Sequence, residues 1–332
     1  MKILVTGAAG FIGRRVVCGF LREGHTVRAL VRTGTDSRSL PWAQEVELQR
    51  GDVRAARSLE QAVAGVDAVV HLAGSPSADP DTAFAAFVVG TEQLIAAMAR
   101  AGVRRLVLAS SFAVYDMRAL RSTVDERAPL ERDPYSRDGY TVAKLWQERV
   151  ARSGAAEHGL ELTVLRPGLV WGPGETEIGS LGPRLGPVRL LFGARTTLRL
   201  TYVDNCAQCF IAAALSPDAA GETINVIDSG EVTAWRYAGA LRRHGGRRVV
   251  RVVVPYGLAF GLVRVGHRIA RTVLGPAPRL PGLMVPRRFE GRFKPLRYRV
   301  ERATTLRGSR PAVPFEQAAA LAMSTREPPP PL

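Results

Sequence analysis

An apolar run, Ile3-Leu4-Val5, breaks at once into Thr6-Gly7-Ala8-Ala9-Gly10-Phe11-Ile12-Gly13 and resumes as an amphipathic stretch carrying Val16, Val17, Phe20 and Leu21. The pattern predicts a buried strand, a tight turn and a helix. Gly7 permits the sharp turn, Gly10 lets the backbone approach a pyrophosphate, and Gly13 lets the helix press against the sheet. The helix N-terminus then offers unpaired N–H groups and partial positive charge to the anion. An ordinary strand-to-helix turn can carry the same glycines, so the reading needs support from the rest of the chain.

Strand-like and helical stretches go on alternating. Residues 26–31, 46–48, 68–72, 105–109 and 162–165 read as strands, and 83–100 and 141–158 as long helices. Such alternation predicts right-handed crossovers and an α/β, Rossmann-type, doubly wound parallel sheet over residues 1–167. From Gly168 the texture changes, as Gly172-Pro173-Gly174, Gly182-Pro183 and Gly186-Pro187 punctuate the chain. A smaller C-terminal substrate lobe is therefore expected over 168–322, with about 200–227 returning to the first domain. Within it, 203–215 and 233–244 read as helices, and 223–227 and 249–254 as strands. Residues 323–332, with their four closing prolines, are expected to form a disordered tail.

The chain is basic, with 46 lysines and arginines against 30 acidic residues and a formal charge of +16. Lysine stands only at Lys2, Lys144 and Lys294, and the arginines are dispersed over most of the chain, so no nucleic-acid partner is expected. The charge suits anionic ligands or an anionic membrane surface. Cys18, Cys206 and Cys209 make no disulfide framework. Cys206 and Cys209 lie inside a helical stretch with no second pair or nearby histidines, so they read as buried apolar side chains, and no metal is expected. The first strand begins at residue 2, which leaves no room for a secretory signal, and a cytoplasmic location is expected. Residues 256–274 are apolar but carry Arg264, His267, Arg268 and Arg271 on one helical face, with Leu262, Val265, Ile269 and Val273 largely on the other. Such a stretch does not span a bilayer. It reads either as a helix covering the substrate lobe with a solvated basic face or as one lying on a membrane surface.

Four further features give the glycine loop a chemistry. Gly51-Asp52-Val53 follows the third strand, where a carboxylate can accept from an adenine amino group. His71-Leu72-Ala73-Gly74 ends the fourth strand with small residues that leave room for a ribose, and Ser110-Ser111 ends the fifth. Ligands bind at such strand ends in parallel sheets. Tyr140 and Lys144 are four apart on one helix, so the ammonium can sit near the phenol and lower its pKa from about 10, suiting it to acid–base work at neutral pH. Many pairs at this spacing merely decorate helix surfaces. Tyr135, with Gly139 four residues on, has no such partner. Ser111 is placed to hold a substrate oxygen.

With these residues in view, the chain resembles the extended branch of the short-chain dehydrogenase/reductase superfamily, the NAD-dependent epimerases and dehydratases. The resemblance runs from Lys2 to about Asn225 and rests on Thr6-Gly7-x-x-Gly10-x-x-Gly13, Gly51-Asp52, His71-Leu72-Ala73-Gly74, Gly90-Thr91, Ser110-Ser111-x-x-Val114-Tyr115, Tyr140-x-x-x-Lys144, Arg166-Pro167-Gly168, Gly172-Pro173-Gly174 and Tyr202-Val203-Asp204-Asn205. It implies Tyr140 as proton donor or acceptor, Lys144 on the nicotinamide ribose and lowering the tyrosine pKa, and Ser111 polarising the substrate carbonyl or hydroxyl. It also implies cofactor contacts at Gly7, Gly10, Phe11, Ile12 and Gly13, at Asp52 and Val53, and at Leu72, Ala73, Gly74 and Pro167. Three departures narrow the substrate. Phe87 stands where the family often has an asparagine that relays protons. Pro167-Gly168-Leu169 and Leu198-Arg199 replace an asparagine and an Arg-Asp pair that hold sugar diphosphates. In this the chain is most similar to the 3β-hydroxysteroid dehydrogenase and dihydroflavonol reductase-like members.

Val31-Arg32 ends the second strand where an NAD enzyme usually places a carboxylate, and an arginine there pairs with a 2′-phosphate. NADP is therefore the expected cofactor. The function expected is an NAD(P)-dependent oxidoreductase interconverting a secondary alcohol and a ketone on an apolar or small non-nucleotide substrate. A nucleotide-sugar epimerase or dehydratase with tightly held NAD is the enzyme alternative, and a non-catalytic dinucleotide-binding regulator the alternative of another class. As in relatives, helices 83–100 and 141–158 can pair across a homodimer.

Overall fold

The structure is a computed structural model that describes residues 1–74, 79–245, 249–275, 280–308 and 312–324. Of the tail expected over 323–332, Met323 and Ser324 end a helix, and residues 325–332, with the four closing prolines, lie outside the described residues. Through its first two-thirds the chain runs β1 (Lys2–Thr6), α1 (Phe11–Arg22), β2 (Thr26–Val31), β3 (Glu47–Arg50), α2 (Ala56–Val63), β4 (Ala68–His71), α3 (Gly90–Ala101), β5 (Arg105–Ala109), α4 (Gly139–His158), β6 (Glu161–Pro167), α5 (Val203–Leu215) and β7 (Thr223–Val226). The seven strands pair in parallel in the order β7-β6-β5-β4-β1-β2-β3. Near-continuous apolar runs make these strands, because a parallel sheet is covered on both faces. The strand order reverses between β1 and β4, and the crevice at their carboxyl ends is where a doubly wound sheet takes its ligand.

Two apolar layers hold the sheet. On one face α1 and α5 bring Val16, Val17, Phe20, Cys206, Cys209, Phe210 and Ile211 onto Ile3, Val5, Val27 and Val70. The two cysteines thus lie in the apolar core. On the other face α2, α3 and α4 bring Leu59, Val63, Leu94, Ile95, Met98 and Ala151 onto Leu4, Val69, Leu106 and Leu108. Each fully buried aliphatic side chain contributes about 1.5–3 kcal/mol against chain entropy. The 81–101 stretch is apolar and long enough by composition to cross a bilayer, yet half of it is buried inside the protein. It is also not the single α-helix that its periodicity predicts. A five-residue α-helix, Pro80–Phe84, leads into a π-helical segment, Ala85–Val89, before α3 begins. The widened turn lets the Thr91 hydroxyl donate to the Phe87 carbonyl at 2.6 Å.

The rest of the chain sits over the carboxyl edge. Leu169–Trp171 pairs with Leu200–Tyr202, and Val188–Phe192 pairs with Arg184–Leu185 and Val250–Val254. These pieces share a core of Trp171, Leu181, Leu191, Tyr202 and Tyr237 with α6 (Ala234–His244). The chain then continues as α7 (Tyr256–Leu274), α8 (Pro286–Phe293), a short helix Glu301–Arg307 and α9 (Phe315–Ser324).

Candidate active site

The glycine loop leaves β1 and is pressed against the end of β4. Gly7 has φ of 68°, and a β-carbon on it would lie 2.8 Å from the backbone of Leu72 and Ala73. A β-carbon on Gly13 would fall 2.2 Å from the Gly7 carbonyl oxygen, so only glycine lets α1 start here. Gly10 is the N-cap of α1, with no side-chain cap and no acidic residue in the first turn. Phe11 and Ile12 open the helix. The N–H groups of this turn therefore face the crevice without a competing acceptor, and the arrangement fits a dinucleotide pyrophosphate.

The flanks of this cradle come from the other strand ends. Leu72 and Ala73 follow β4, where the Leu72 N–H donates to the Thr6 carbonyl at 3.2 Å and the Ala73 N–H to Thr6 Oγ1 at 3.2 Å. Gly74 has φ of 124°, and its α-carbon lies so near Phe87 that a β-carbon would come 2.1 Å from the ring. Asp52, after β3, already takes Arg54 Nη2 at 2.6 Å, which with the Arg54 backbone N–H and the Arg54 and Arg32 charges holds its carboxyl below the usual range. Burial opposes that shift, and the Arg54 hydrogen bond outweighs it. Val53 packs over Gly90, and Pro167 closes β6 beside Val226. Arg32 is exposed at the end of β2, close enough for its charge to act on Asp52. Arg50 Nη1 donates to the Thr33 and Thr35 carbonyls at 2.9 and 3.0 Å, a second guanidinium on the same loop that the sequence reading missed.

Tyr140, Lys144 and Ser111 come together at the end of β5. Asp138 caps α4 by accepting from the Thr141 N–H at 2.9 Å, which fixes the helix start and hence where Tyr140 and Lys144 project. Ser111 caps a short 3₁₀ turn, Phe112–Val114, and its side chain hydrogen-bonds the Tyr140 phenol. Tyr135, by contrast, is exposed.

The expected pKa coupling is not what the structure has. Burial pushes the Tyr140 phenol above its usual value, and the Ser111 hydrogen bond returns only part of the shift. Lys144 spends its hydrogen bonds elsewhere. Its Nζ lies 6.0 Å from the Tyr140 ring centroid and donates to the Ala109 carbonyl at 2.8 Å and to Gln147 Oε1 at 2.9 Å. Phe87, in the family's asparagine position, sets its ring 4.1 Å from the same ammonium. Burial brings the Lys144 pKa down to about 7, partly opposed by Glu148.

Behind Lys144 runs a buried polar chain that no local pattern announced. Gln147 Nε2 donates to Thr91 Oγ1 at 3.0 Å, and Thr91 Oγ1 stands 2.9 Å from His71 Nε2. His71 Nδ1 stands 2.7 Å from Thr6 Oγ1. Since the Thr91 hydrogen is spent on the Phe87 carbonyl, His71 carries its hydrogen on Nε2 and accepts from Thr6 at Nδ1. Burial, and then the Lys144 charge, lower the His71 pKa to about 3, so the ring is neutral. The chain ties the glycine-loop strand to α4.

A second buried network lies beside it. Glu148 accepts from Arg166 Nε and Nη2 and from Ser110, while Arg166 Nη1 donates to Tyr115 and Tyr115 to Asn225. Burial raises the Glu148 pKa, but the Arg166 hydrogen bonds overrule it and hold the carboxyl below its usual range. Glu148 is four residues beyond Lys144, a spacing that put it on the same helix face.

Residues 3–226 match the family described as the NAD dependent epimerase/dehydratase family. A 2-alkyl-3-oxoalkanoate reductase from Stenotrophomonas maltophilia is 35% identical over 234 residues, covering 66% of this chain and 68% of that protein. A 3β-hydroxysteroid dehydrogenase/Δ5→4-isomerase from Mycobacterium tuberculosis is 32% identical over 306 residues, covering 87% of this chain and 81% of that one. Among solved structures, UDP-glucuronic acid 4-epimerase from Bacillus cereus, held with UDP-glucuronic acid and NAD, is similar with a TM-score of 0.71 at 20% identity over 98% of both chains. At that identity the likeness is one of fold.

Proposed function

Since the chain belongs to the NAD-dependent epimerase/dehydratase family of extended short-chain dehydrogenases and is an oxidoreductase of that family, we propose that it interconverts a ketone and a secondary alcohol on an apolar or small non-nucleotide substrate. The observation that carries this reading is the Ser111–Tyr140 pair beside an ammonium held by Ala109 and Gln147. Bound NAD(P) supplies or accepts the hydride. The Ser111 hydroxyl holds the substrate oxygen, and Tyr140 delivers or takes the proton at that oxygen. The phenol is protonated at neutral pH, so it is the group that carries the proton in ketone reduction. Lys144, together with the glycine cradle, Leu72, Ala73, Gly74 and Pro167, holds the cofactor.

NADP is the cofactor we infer, because Arg32 and Arg50 border the loop after β2 and no carboxylate closes that strand. A non-nucleotide substrate is favoured by Arg199. Its Nη2 donates to the Gly291 carbonyl at 2.9 Å, so the guanidinium is engaged with α8. The relatives' names speak of an alkyl oxoalkanoate and a hydroxysteroid, neither of them a nucleotide sugar.

Assays of Tyr140→Phe with NADPH over a panel of aliphatic, cyclic and steroid ketones, and separately with UDP-sugars, test the reading. Removing the general acid costs about 10²- to 10⁴-fold in turnover with NADPH affinity unchanged. Turnover retained by Tyr140→Phe, or activity confined to UDP-sugars, overturns it.

A further inference from the structure

The positive charge of this chain is laid down unevenly. Between Glu231 and Glu290 stand twelve arginines and no acidic side chain, which is most of the formal excess of +16. In the middle of that segment lies α7. Its inner face seats Ala259, Tyr256, Phe260 and Val263 against Phe289 and Phe293 of α8. The rings of Tyr256 and Phe260 stack at 5.6 Å.

The outer face is apolar as well. Leu258, Leu262, Val265, Ile269 and Val273 are each between 55% and 73% exposed. Their spacings of four, three, four and four residues place them in one stripe about 22 Å long. Arg264, Arg268 and Arg271 border the stripe on one side, all exposed and with no ion pair among the described residues. Burying such a stripe while leaving arginines at its margin is what a membrane interface does to a helix. The aromatic side faces the lobe and the basic margin is in water, and the aliphatic stripe faces out as well.

We propose that α7 is a docking helix that lays the enzyme on an anionic membrane surface. A second copy of the chain is the poorer occupant, since a two-fold contact brings the same acid-free, arginine-rich segment against itself. A polynucleotide would use the arginines and leave the aliphatic stripe wet. The helix does not cross the bilayer, because its inner face is committed to α8 and its outer margin is charged. The inference stands apart from the choice of substrate.

Cosedimentation of the full-length protein with vesicles of equal parts phosphatidylcholine and phosphatidylglycerol, and with phosphatidylcholine alone, tests it. The native protein is retained by the anionic vesicles and released from them by high salt. Leu262→Glu/Ile269→Glu lowers retention about tenfold or more. Arg264→Gln/Arg268→Gln/Arg271→Gln lowers it roughly a hundredfold on anionic vesicles. All five positions are exposed and none belongs to the site described above, so cofactor binding by both variants reports an intact fold. Failure of the native protein to bind anionic vesicles, or binding unchanged by the paired glutamates, overturns the proposal. So does a native dimer, free of vesicles, that Leu262→Glu/Ile269→Glu converts to a monomer.

Discussion

Glu148 and Arg166 face each other through two parallel hydrogen bonds of 2.8 and 2.7 Å, with both side chains almost wholly excluded from water. The carboxylate sits on α4 and the guanidinium on β6, so the pair fixes how α4 rests on the sheet. Arg166→Met leaves a buried carboxylate with Ser110 and, at 3.6 Å, the Arg152 guanidinium as its remaining partners and is expected to cost about 3–5 kcal/mol. Adding Glu148→Leu to that variant is expected to restore most of the loss, because an apolar pair needs no partner. Urea unfolding of Arg166→Met, of Glu148→Leu and of the double variant, beside the native protein, gives the coupling energy directly.

The second expectation concerns acid stability. The His71 pKa is lowered from 6.5 to about 3 in the folded chain, so between those values the unfolded state holds a proton that the folded state lacks. Stability from this group is complete above pH 6.5 and is lost as the pH falls toward 3, with a slope approaching about 1.4 kcal/mol per pH unit. His71→Gln removes the titrating group and is expected to flatten that slope, at some cost in stability near neutrality. Unfolding free energies from pH 4 to 7 decide the matter; parallel slopes for the two proteins would assign the acid sensitivity elsewhere.

A third concerns the cofactor. If Arg32 pairs with a 2′-phosphate, Arg32→Asp exchanges a charge-assisted contact for a repulsion and is expected to weaken NADPH binding about 10- to 100-fold. NADH binding should hold or improve, so the preference reverses. Fluorescence titration of both cofactors against both proteins measures it, and native protein that binds NADH more tightly than NADPH would refute the assignment.

The features the sequence made legible are those written within a few residues of one another. The glycine loop, Ser110-Ser111 and Tyr140-x-x-x-Lys144 each carry their geometry in their spacing, and the alternation of strand and helix carried the sheet. What escaped is long-range or depends on which of two similar faces wins. Nothing near Thr6, His71, Thr91 or Gln147 shows that they form one chain, because they come from separate elements that only the fold brings together. The π-turn at Ala85–Val89 interrupts a helical period that looked continuous. In 256–274 the sequence held two apolar faces, one aromatic and one aliphatic; the rings of Phe289 and Phe293 selected the aromatic one, and no periodicity could rank them.

The covering of the sheet's first face by α5, and the pairing of β7 at its edge, have a consequence for how the protein is made. A ribosome that has released the chain only to Pro167 has delivered six strands, yet Val16, Val17 and Phe20 still lack Cys206, Phe210 and Ile211 to lie against. At a synthesis rate of about 5–20 residues per second, roughly 3–12 seconds pass before Val226 exists. For that interval an oily helix and an unpaired strand edge stand open on the nascent chain. Chain order, rather than final stability, makes the middle of synthesis the time when this protein most needs a chaperone.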